Sequence, residues 1–441
     1  MKTLAEKMSE FPDIIEHYNT VIKPNVPINV HLGKLTLESK TDKKVITIRG
    51  KITFYWTPIY GCRIEGTINK HDYNKFIFNP LDSYDVKVNN NSIGFAFIQT
   101  TINNFESTRI KLIAVFEHRV LLGKIEQKVD KITFAIPNLI SISGEIVKKI
   151  ISTKIYNSNF RISLNYKNWE ILMDKNIDYE KAKKTLLIKG GYNILYQAEL
   201  TLKQGETFIY DEGKVILDCF DLFISYINGR KTSSLLLNGY IQKSMIWSDY
   251  SPKSVDPFKE VKSSFYYRNI KSLQNKWEAF NKIWESDSGK EFLKTVIHWY
   301  LQANNNAGLL EGSIIMAQAG LEKIYHWIFK LESKATNSAP QKLRDLIKYL
   351  ALDENEVHLR HPNIKKYYEN IENKKHRDIA GVITSVRNDL IHPKESFITS
   401  IDTKREVLQI SLWLIEMTLL HLLCHEGKYF DRMQGKYIIY K

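Results

Sequence analysis

Ser251-Pro252-Lys253-Ser254-Val255-Asp256-Pro257 divides this chain into two halves of different character. Proline is excluded from helix interiors and from central strands, and serine and aspartate beside it are turn formers, so the stretch marks a boundary. Before it, from about residue 28 to 245, short β-branched and aromatic runs alternate with Gly, Asn, Asp and Lys clusters. Examples are Lys34-Leu35-Thr36-Leu37, Val45-Ile46-Thr47-Ile48, Ile110-Lys111-Leu112-Ile113-Ala114-Val115-Phe116 and Phe160-Arg161-Ile162-Ser163-Leu164-Asn165-Tyr166. That pattern predicts antiparallel strands, arranged as a sandwich or two packed sheets. After the boundary, apolar residues recur at three- and four-residue spacing and predict helices over 258–284, 291–303, 307–331, 340–350, 363–372, 376–392 and 403–425. The expected fold class is α+β: an antiparallel, sandwich-like β-rich domain over 1–250, a helical connector over 251–287 and an all-α bundle over 288–441. The tail from Lys428 onward is expected to wrap onto the bundle through Tyr429, Phe430, Tyr437 and Tyr440.

With 441 residues and ordinary apolar and charged fractions, the chain is globular and large enough for two cores. Its formal charge of +14 is spread over both halves, which suits a polyanionic partner and says nothing about specificity. Cys62, Cys219 and Cys424 are few, odd in number and far apart, as expected of reduced thiols in a cytoplasmic protein. Met1-Lys2-Thr3-Leu4-Ala5-Glu6-Lys7 runs into charges without an apolar segment, so no secretory signal is expected there. The most apolar stretch, 407–424, contains Gln409, Glu416 and His421 and reads as a buried helix, not a membrane span. Gly190-Gly191 and Asn228-Gly229 read as turns, not phosphate loops.

Chemistry concentrates in Arg387-Asn388-Asp389-Leu390-Ile391-His392, followed by Pro393. Arginine offers a permanent planar fork of donors for a phosphate, and histidine can take and give a proton near neutrality. Pro393 cannot continue a helix, which places His392 at an accessible C-terminal turn. At about 100° per residue, Arg387 and His392 lie about 140° apart around the axis, whereas Asn388 and His392 share a face. Asn388 can therefore orient the imidazole while Arg387 reaches around from the side. A second copy facing the first would surround one phosphodiester with two arginines and two histidines, so a homodimer is expected.

This Arg-Asn-x-x-x-His motif, on the penultimate helix of a helical C-terminal region, resembles the signature of HEPN ribonucleases. The surrounding pattern looks like the Apea-like branch found in bacterial abortive-infection proteins, with the HEPN likeness covering roughly 288–430. The resemblance implies a metal-independent endoribonuclease with no cofactor, in which Arg387, Asn388 and His392 cut RNA through its own 2′-hydroxyl at a composite dimer site. It implies tRNA as the substrate class to examine first. It also implies an N-terminal sensor that answers a phage-derived trigger. Glu322, on a preceding helix, is the candidate acid that pairs Arg387, the alternative being a surface pair with Lys323 or His326; Glu311 is a weaker candidate for the same job. Lys365, Lys366, Lys374, Lys375 and Arg377, interleaved with Tyr367 and Tyr368, are candidate RNA contacts.

Other histidine and acidic clusters read as structural. His421 and His425 flank Cys424 without a zincin glutamate, so packing is expected and no metal. His358-Leu359-Arg360-His361-Pro362 reads as a loop, and Asp218 and Asp221 as residues on opposite faces of a strand. Two rival functions stay open: a catalytically silent HEPN scaffold binding RNA, nucleotide or a partner protein, and a β-sandwich ligand-binding module with a helical oligomerisation domain. No membrane partner is expected.

Overall fold

Strict alternation of apolar and polar residues builds the first architecture. The computed structural model describes residues 10–15, 23–57, 60–74, 82–103, 108–151, 154–266, 270–329, 338–369, 377–392 and 399–440. Strands β1 (Ile28–Ser39), β2 (Val45–Tyr55), β3 (Gly61–Asn69), β4 (Ser83–Val88), β5 (Asn91–Asn103) and β6 (Arg109–Phe116) close into a barrel in the order β1-β2-β3-β6-β5-β4. Leu35, Leu37, Ile48, Ile52, Phe54, Ile64, Leu112 and Ala114 fill its interior, while Lys34, Arg49 and Lys111 alternate with such residues and face outward. Closure follows from β1, which pairs with β2 along its length and with β4 through Thr36 to Ser39. Gly33, Gly50 and Gly66 stand opposite one another across β1, β2 and β3. A Cβ on Gly50 would come within 2.6 Å of the Glu65 carbonyl oxygen, so only glycine lets β2 and β3 approach here. The short helix α1 (Lys70–Asn74) follows β3.

An eight-stranded antiparallel sheet comes next. Its members are β7 (Leu121–Gly123), β8 (Lys131–Pro137), β9 (Glu145–Ile151), β10 (Lys154–Tyr166), β11 (Trp169–Lys175), β12 (Ile194–Leu202), β13 (Leu235–Ile241) and β14 (Ser244–Asp249), ordered β7-β14-β13-β8-β12-β11-β10-β9. One apolar core runs from the barrel interior to Ala135, Ile194 and Leu235 of this sheet and to Tyr250 beyond it. The expected sandwich is therefore corrected to a closed barrel plus one large sheet. Two helices, α2 (Tyr179–Lys189) and α3 (Tyr210–Asn228), also interrupt the region read as strands throughout. In α3, Cys219, Phe220, Phe223, Ile224 and Ile227 recur at helical spacing and are buried, and that period outweighs the local alternation. Asp218 and Asp221 consequently lie on a helix, where Asp218 pairs with Lys214 at 2.6 Å, one turn away.

Residues 251–266 carry neither helix nor strand, so the helix expected from 258 begins at Ile270 instead. The cause is long-range: the Phe258 amide donates to the Gly191 carbonyl at 2.7 Å and the Asn138 side chain donates to the Asp256 carbonyl at 3.0 Å, tying this stretch to residues beside β8 and β12. By contacts the chain forms two compact units, one of residues 1–163, 167–218 and 232–259, the other of 164–166, 219–231 and 260–441. Residues 251–259 thus belong to the first unit and 260–287 to the second, and the expected connector is not a body of its own.

The second unit is helical: α4 (Ile270–Trp284), α5 (Asp287–Asn304), α6 (Leu309–Phe329), α7 (Ala339–Tyr349), α8 (Glu354–Arg360), α9 (Pro362–Glu369), α10 (Ile379–Ile391) and α11 (Ile401–Leu422), closed by the hairpin β15 (Lys428–Asp431) and β16 (Lys436–Ile439). Capping punctuates it. Ser286, Asp378 and Ser400 accept the amides of Gly289, Gly381 and Thr403 at the starts of α5, α10 and α11. The stretch read as a loop around His358 is in part the helix α8, started by Asp353, whose side chain accepts the Asn355 amide at 2.9 Å; Pro362 then opens α9.

The hairpin is tied down at a buried charge pair. Arg432 donates to Glu416 through Nη2 at 2.6 Å and Nε at 3.2 Å, and the Tyr300 hydroxyl adds a third bond at 2.7 Å. Arg432 also reaches the Asn304 side chain at 2.9 Å. Glu416 is thus a clamp inside an apolar helix. No helix among the described residues is long and apolar enough to cross a membrane.

Candidate active site

The helix that carries the motif is fixed at both ends. At its start Asp378 caps α10 and holds the Arg344 guanidinium of α7, with one contact at 2.5 Å and another at 3.3 Å. Along it Ile379, Ala380, Val382, Ile383 and Val386 are buried, and Gln318 of α6 donates to the Ile383 carbonyl at 2.7 Å. This inward stripe leaves Arg387 half-buried and Asn388 exposed.

Among the described residues Arg387 forms no ion pair; its Nη1 donates to the Asn388 side-chain oxygen at 3.3 Å, and its Nε is buried without a hydrogen-bond partner. A buried guanidinium N–H left unpaired costs free energy that an arriving anion would recover. His392 is exposed at the helix end, with its own amide bonded to the Asn388 carbonyl at 2.8 Å and a backbone conformation (φ −127, ψ 70) outside the helical region. Asn388 therefore engages His392 through the backbone and Arg387 through its side chain, not the imidazole as the spacing suggested.

Asp389 supplies rigidity that motif reading missed. It accepts the Tyr367 hydroxyl of α9 at 2.7 Å and the Thr399 hydroxyl at 3.4 Å. Burial first, and then the Asp389 charge, hold the Tyr367 phenol well above its ordinary pKa, so it remains a donor. The only sequence signal was an acid inside the motif with an aromatic on the preceding helix.

Other candidate residues separate from the arginine. Glu322 faces Lys342 at 3.8 Å, and Lys342 also lies 3.3 Å from His326 Nε2. The expected pairing of Glu322 with Arg387 is corrected on this point, as is the alternative with Lys323, which binds Glu291 at 2.9 Å. Glu311 is taken by Lys404 at 2.9 Å, and that ammonium holds its carboxyl below the usual range. The cause is register: α6 turns these acids toward α7 and α11, whose lysines reach them first. Lys365 and Lys366 are exposed on α9, whereas Tyr367 is buried against Asp389 and offers no stacking face. Arg377 is half-buried just before α10; Lys374, Lys375 and Pro393 lie outside the described residues.

Of the two histidines flanking Cys424, His425 is packed as expected and His421 is exposed. His425 is buried with Nδ1 2.8 Å from the Ser272 hydroxyl; burial, and then the nearby Lys276 charge, push its pKa down to about 3. His421 Nδ1 lies 3.4 Å from the Tyr440 hydroxyl. No group of three or more His, Cys, Asp or Glu among the described residues is disposed to hold a metal ion. Cys62 and Cys219 are buried and Cys424 is exposed, all as free thiols. A cavity of about 500 Å³ in the second unit is lined by Trp413, Met417, Tyr429 and Ile438 and includes neither Arg387 nor His392.

Residues 124–261, spanning β8 to β14, match the family described as the YopA central domain, and residues 286–440, spanning α5 to β16, match the YopA C-terminal domain. Over 427 residues the chain is 25% identical to the SPbeta prophage-derived uncharacterized protein YopA of Bacillus subtilis (strain 168), a similarity covering 93% of this chain and 92% of that protein. No solved structure matches.

Proposed function

We propose that this chain is a metal-independent HEPN-type endoribonuclease of anti-phage defence, acting as a dimer through α10. The observation that carries the reading is the half-buried Arg387 fork, free of any carboxylate among the described residues, on the same helix end as the exposed His392. The chemistry needs no other group. One His392 takes the proton of the RNA 2′-hydroxyl as that oxygen bonds to the adjacent phosphorus, and the bond from phosphorus to the 5′-oxygen breaks. The partner copy's histidine, protonated, gives its proton to the leaving 5′-oxygen, and the products are a 2′,3′-cyclic phosphate and a 5′-hydroxyl. Arg387 stabilises the charge that accumulates on the phosphorane, with Asn388 holding its fork. The prophage origin of the relative fits a role in conflict between phages, with tRNA as the first substrate class to test.

The experiment compares the parent chain with Arg387→Ala and His392→Ala on total bacterial RNA. The reading expects cleavage by the parent, reduced at least about 100-fold in each variant, as for loss of a general acid–base or charge-stabilising group. Equal cleavage by all three would overturn it. A scaffold that only binds RNA would show no cleavage and unaltered binding in the His392→Ala protein.

A further inference from the structure

The barrel carries a basic face that the proposed active site does not use. Registers across four strands align Lys34 with Arg49, Arg49 with Thr67 and Thr67 with Lys111, one transverse row over β1, β2, β3 and β6. At about 4.8 Å between neighbouring strands the row spans about 14 Å. Lys51 and Glu65 pair across the next level on the same face, and Arg109 lies opposite Asn69 on the other side. Glu65 is committed to Tyr55, whose hydroxyl donates at 2.7 Å, and to Lys51 at 3.5 Å. Lys34, Arg49 and Lys111 are exposed and form no ion pair among the described residues.

The face also carries two shallow, open hollows. Arg49 and Thr67 line both, one of about 310 Å³ that also includes Lys34, Arg109 and the carboxylate of Asp72, the other of about 570 Å³ that includes Lys51 and Lys111. Gly33, Gly50 and Gly66 line the larger one. A Cβ on Gly50 or Gly66 would come within 2.6 Å of the Glu65 carbonyl oxygen or 2.8 Å of the Ile48 side chain, so the strands are closely packed at this level.

We propose that this outer face of β1, β2, β3 and β6 is a docking surface for the phosphate backbone of a single nucleic-acid strand. Charge complementarity chooses a polyanion. A row about 14 Å long suits a few successive phosphates of one flexible strand, whereas a lipid surface would also call for apolar groups to insert. Leu32 is the one strongly exposed apolar side chain of the larger hollow, too few for membrane insertion. With no aromatic side chain lining either hollow, the contact reads phosphates and not bases, so binding is sequence-independent and salt-sensitive.

This inference stands apart from the ribonuclease reading, and its test uses a strand that reading cannot cleave. A labelled 2′-O-methyl oligonucleotide is titrated with the full chain at several salt concentrations by fluorescence anisotropy. Lys34→Ala/Arg49→Ala/Lys111→Ala, all on an exposed sheet face, should keep the parent's melting curve. At a slope of about 0.7 per phosphate contact, its affinity at 0.1 M salt should fall about 100-fold and the slope of log affinity on log salt should flatten by about 2. His392→Ala should bind like the parent. Unaltered affinity and slope in the triple variant, or no binding by the parent, would overturn the proposal. So would loss of binding by the triple variant to vesicles of anionic lipid but not to the oligonucleotide.

Discussion

Lys276→Met should stabilise the helical unit, and by an amount that depends on pH. Lys276 is 1% exposed on α4, its ammonium 5.4 Å from the Phe265 ring, and burial pushes its pKa from 10.5 down to about 7. The folded-state value lies below the unfolded one, so between pH 7 and 10.5 the unfolded chain binds the extra proton and stability rises with pH through that window. At about 1.4 kcal/mol per unit, a shift from 10.5 to about 7 corresponds to a penalty of about 5 kcal/mol once pH is below the folded value, and about 4 kcal/mol at neutrality. Methionine keeps the apolar stem without the charge. Urea denaturation of parent and variant, followed by tryptophan fluorescence, should therefore differ by about 4 kcal/mol at pH 7 and by about 1 kcal/mol at pH 9.5. Taking the difference between the two proteins cancels tyrosine ionisation common to both. A gap under about 1 kcal/mol at pH 7, or one that does not shrink with rising pH, would refute the reasoning. His425 should act in a separate window: its pKa falls from 6.5 to about 3, so stability is lost as pH drops from 6.5 through 3.

Arg432→Met should cost about 3–5 kcal/mol in urea denaturation, because it strands the buried Glu416 carboxylate with the Tyr300 hydroxyl; a loss near zero would show the pair is not charged as drawn. Tyr367→Phe removes the bond to Asp389 and should destabilise by about 1–2 kcal/mol while lowering RNA cleavage; cleavage at the parent's rate would mean that α10 needs no such anchor. Glu322→Gln should change stability by less than about 1 kcal/mol and leave cleavage intact, since its partner is Lys342 at 3.8 Å; a large loss of activity would restore a link to Arg387.

The second unit was the more legible half. Helix starts are written in single residues, as with Ser286 before α5, Asp378 before α10 and Ser400 before α11, and the apolar period of the longer helices runs long enough to be read, whereas seven-residue α8 was too short and read as a loop. Side-chain choice was harder to read there. Glu322 has several lysines within reach, and only the packing of α7 against α6 decides that Lys342 takes it. In the first unit alternation identified strands but not their closure, because nothing local to Leu37 or Val86 says that β1 will meet β4. Phe258 and Phe265 imitate a helical stripe, yet the Phe258 amide is claimed by Gly191, a residue far away in the chain. The basic row on the barrel was invisible for the same reason: Lys34, Arg49 and Lys111 become neighbours only through register.

The most direct test of the ribonuclease account is the chemistry of its product ends. Full-length protein is incubated with RNA in EDTA, and fragments are analysed for terminal groups beside the Arg387→Ala/His392→Ala protein and a 2′-O-methyl copy of any cleaved substrate. Fragments ending in 2′,3′-cyclic phosphate and 5′-hydroxyl, absent with the double variant and with the methylated strand, are the predicted result. Cleavage that persists in the double variant, or that leaves 5′-phosphate ends, would contradict the account.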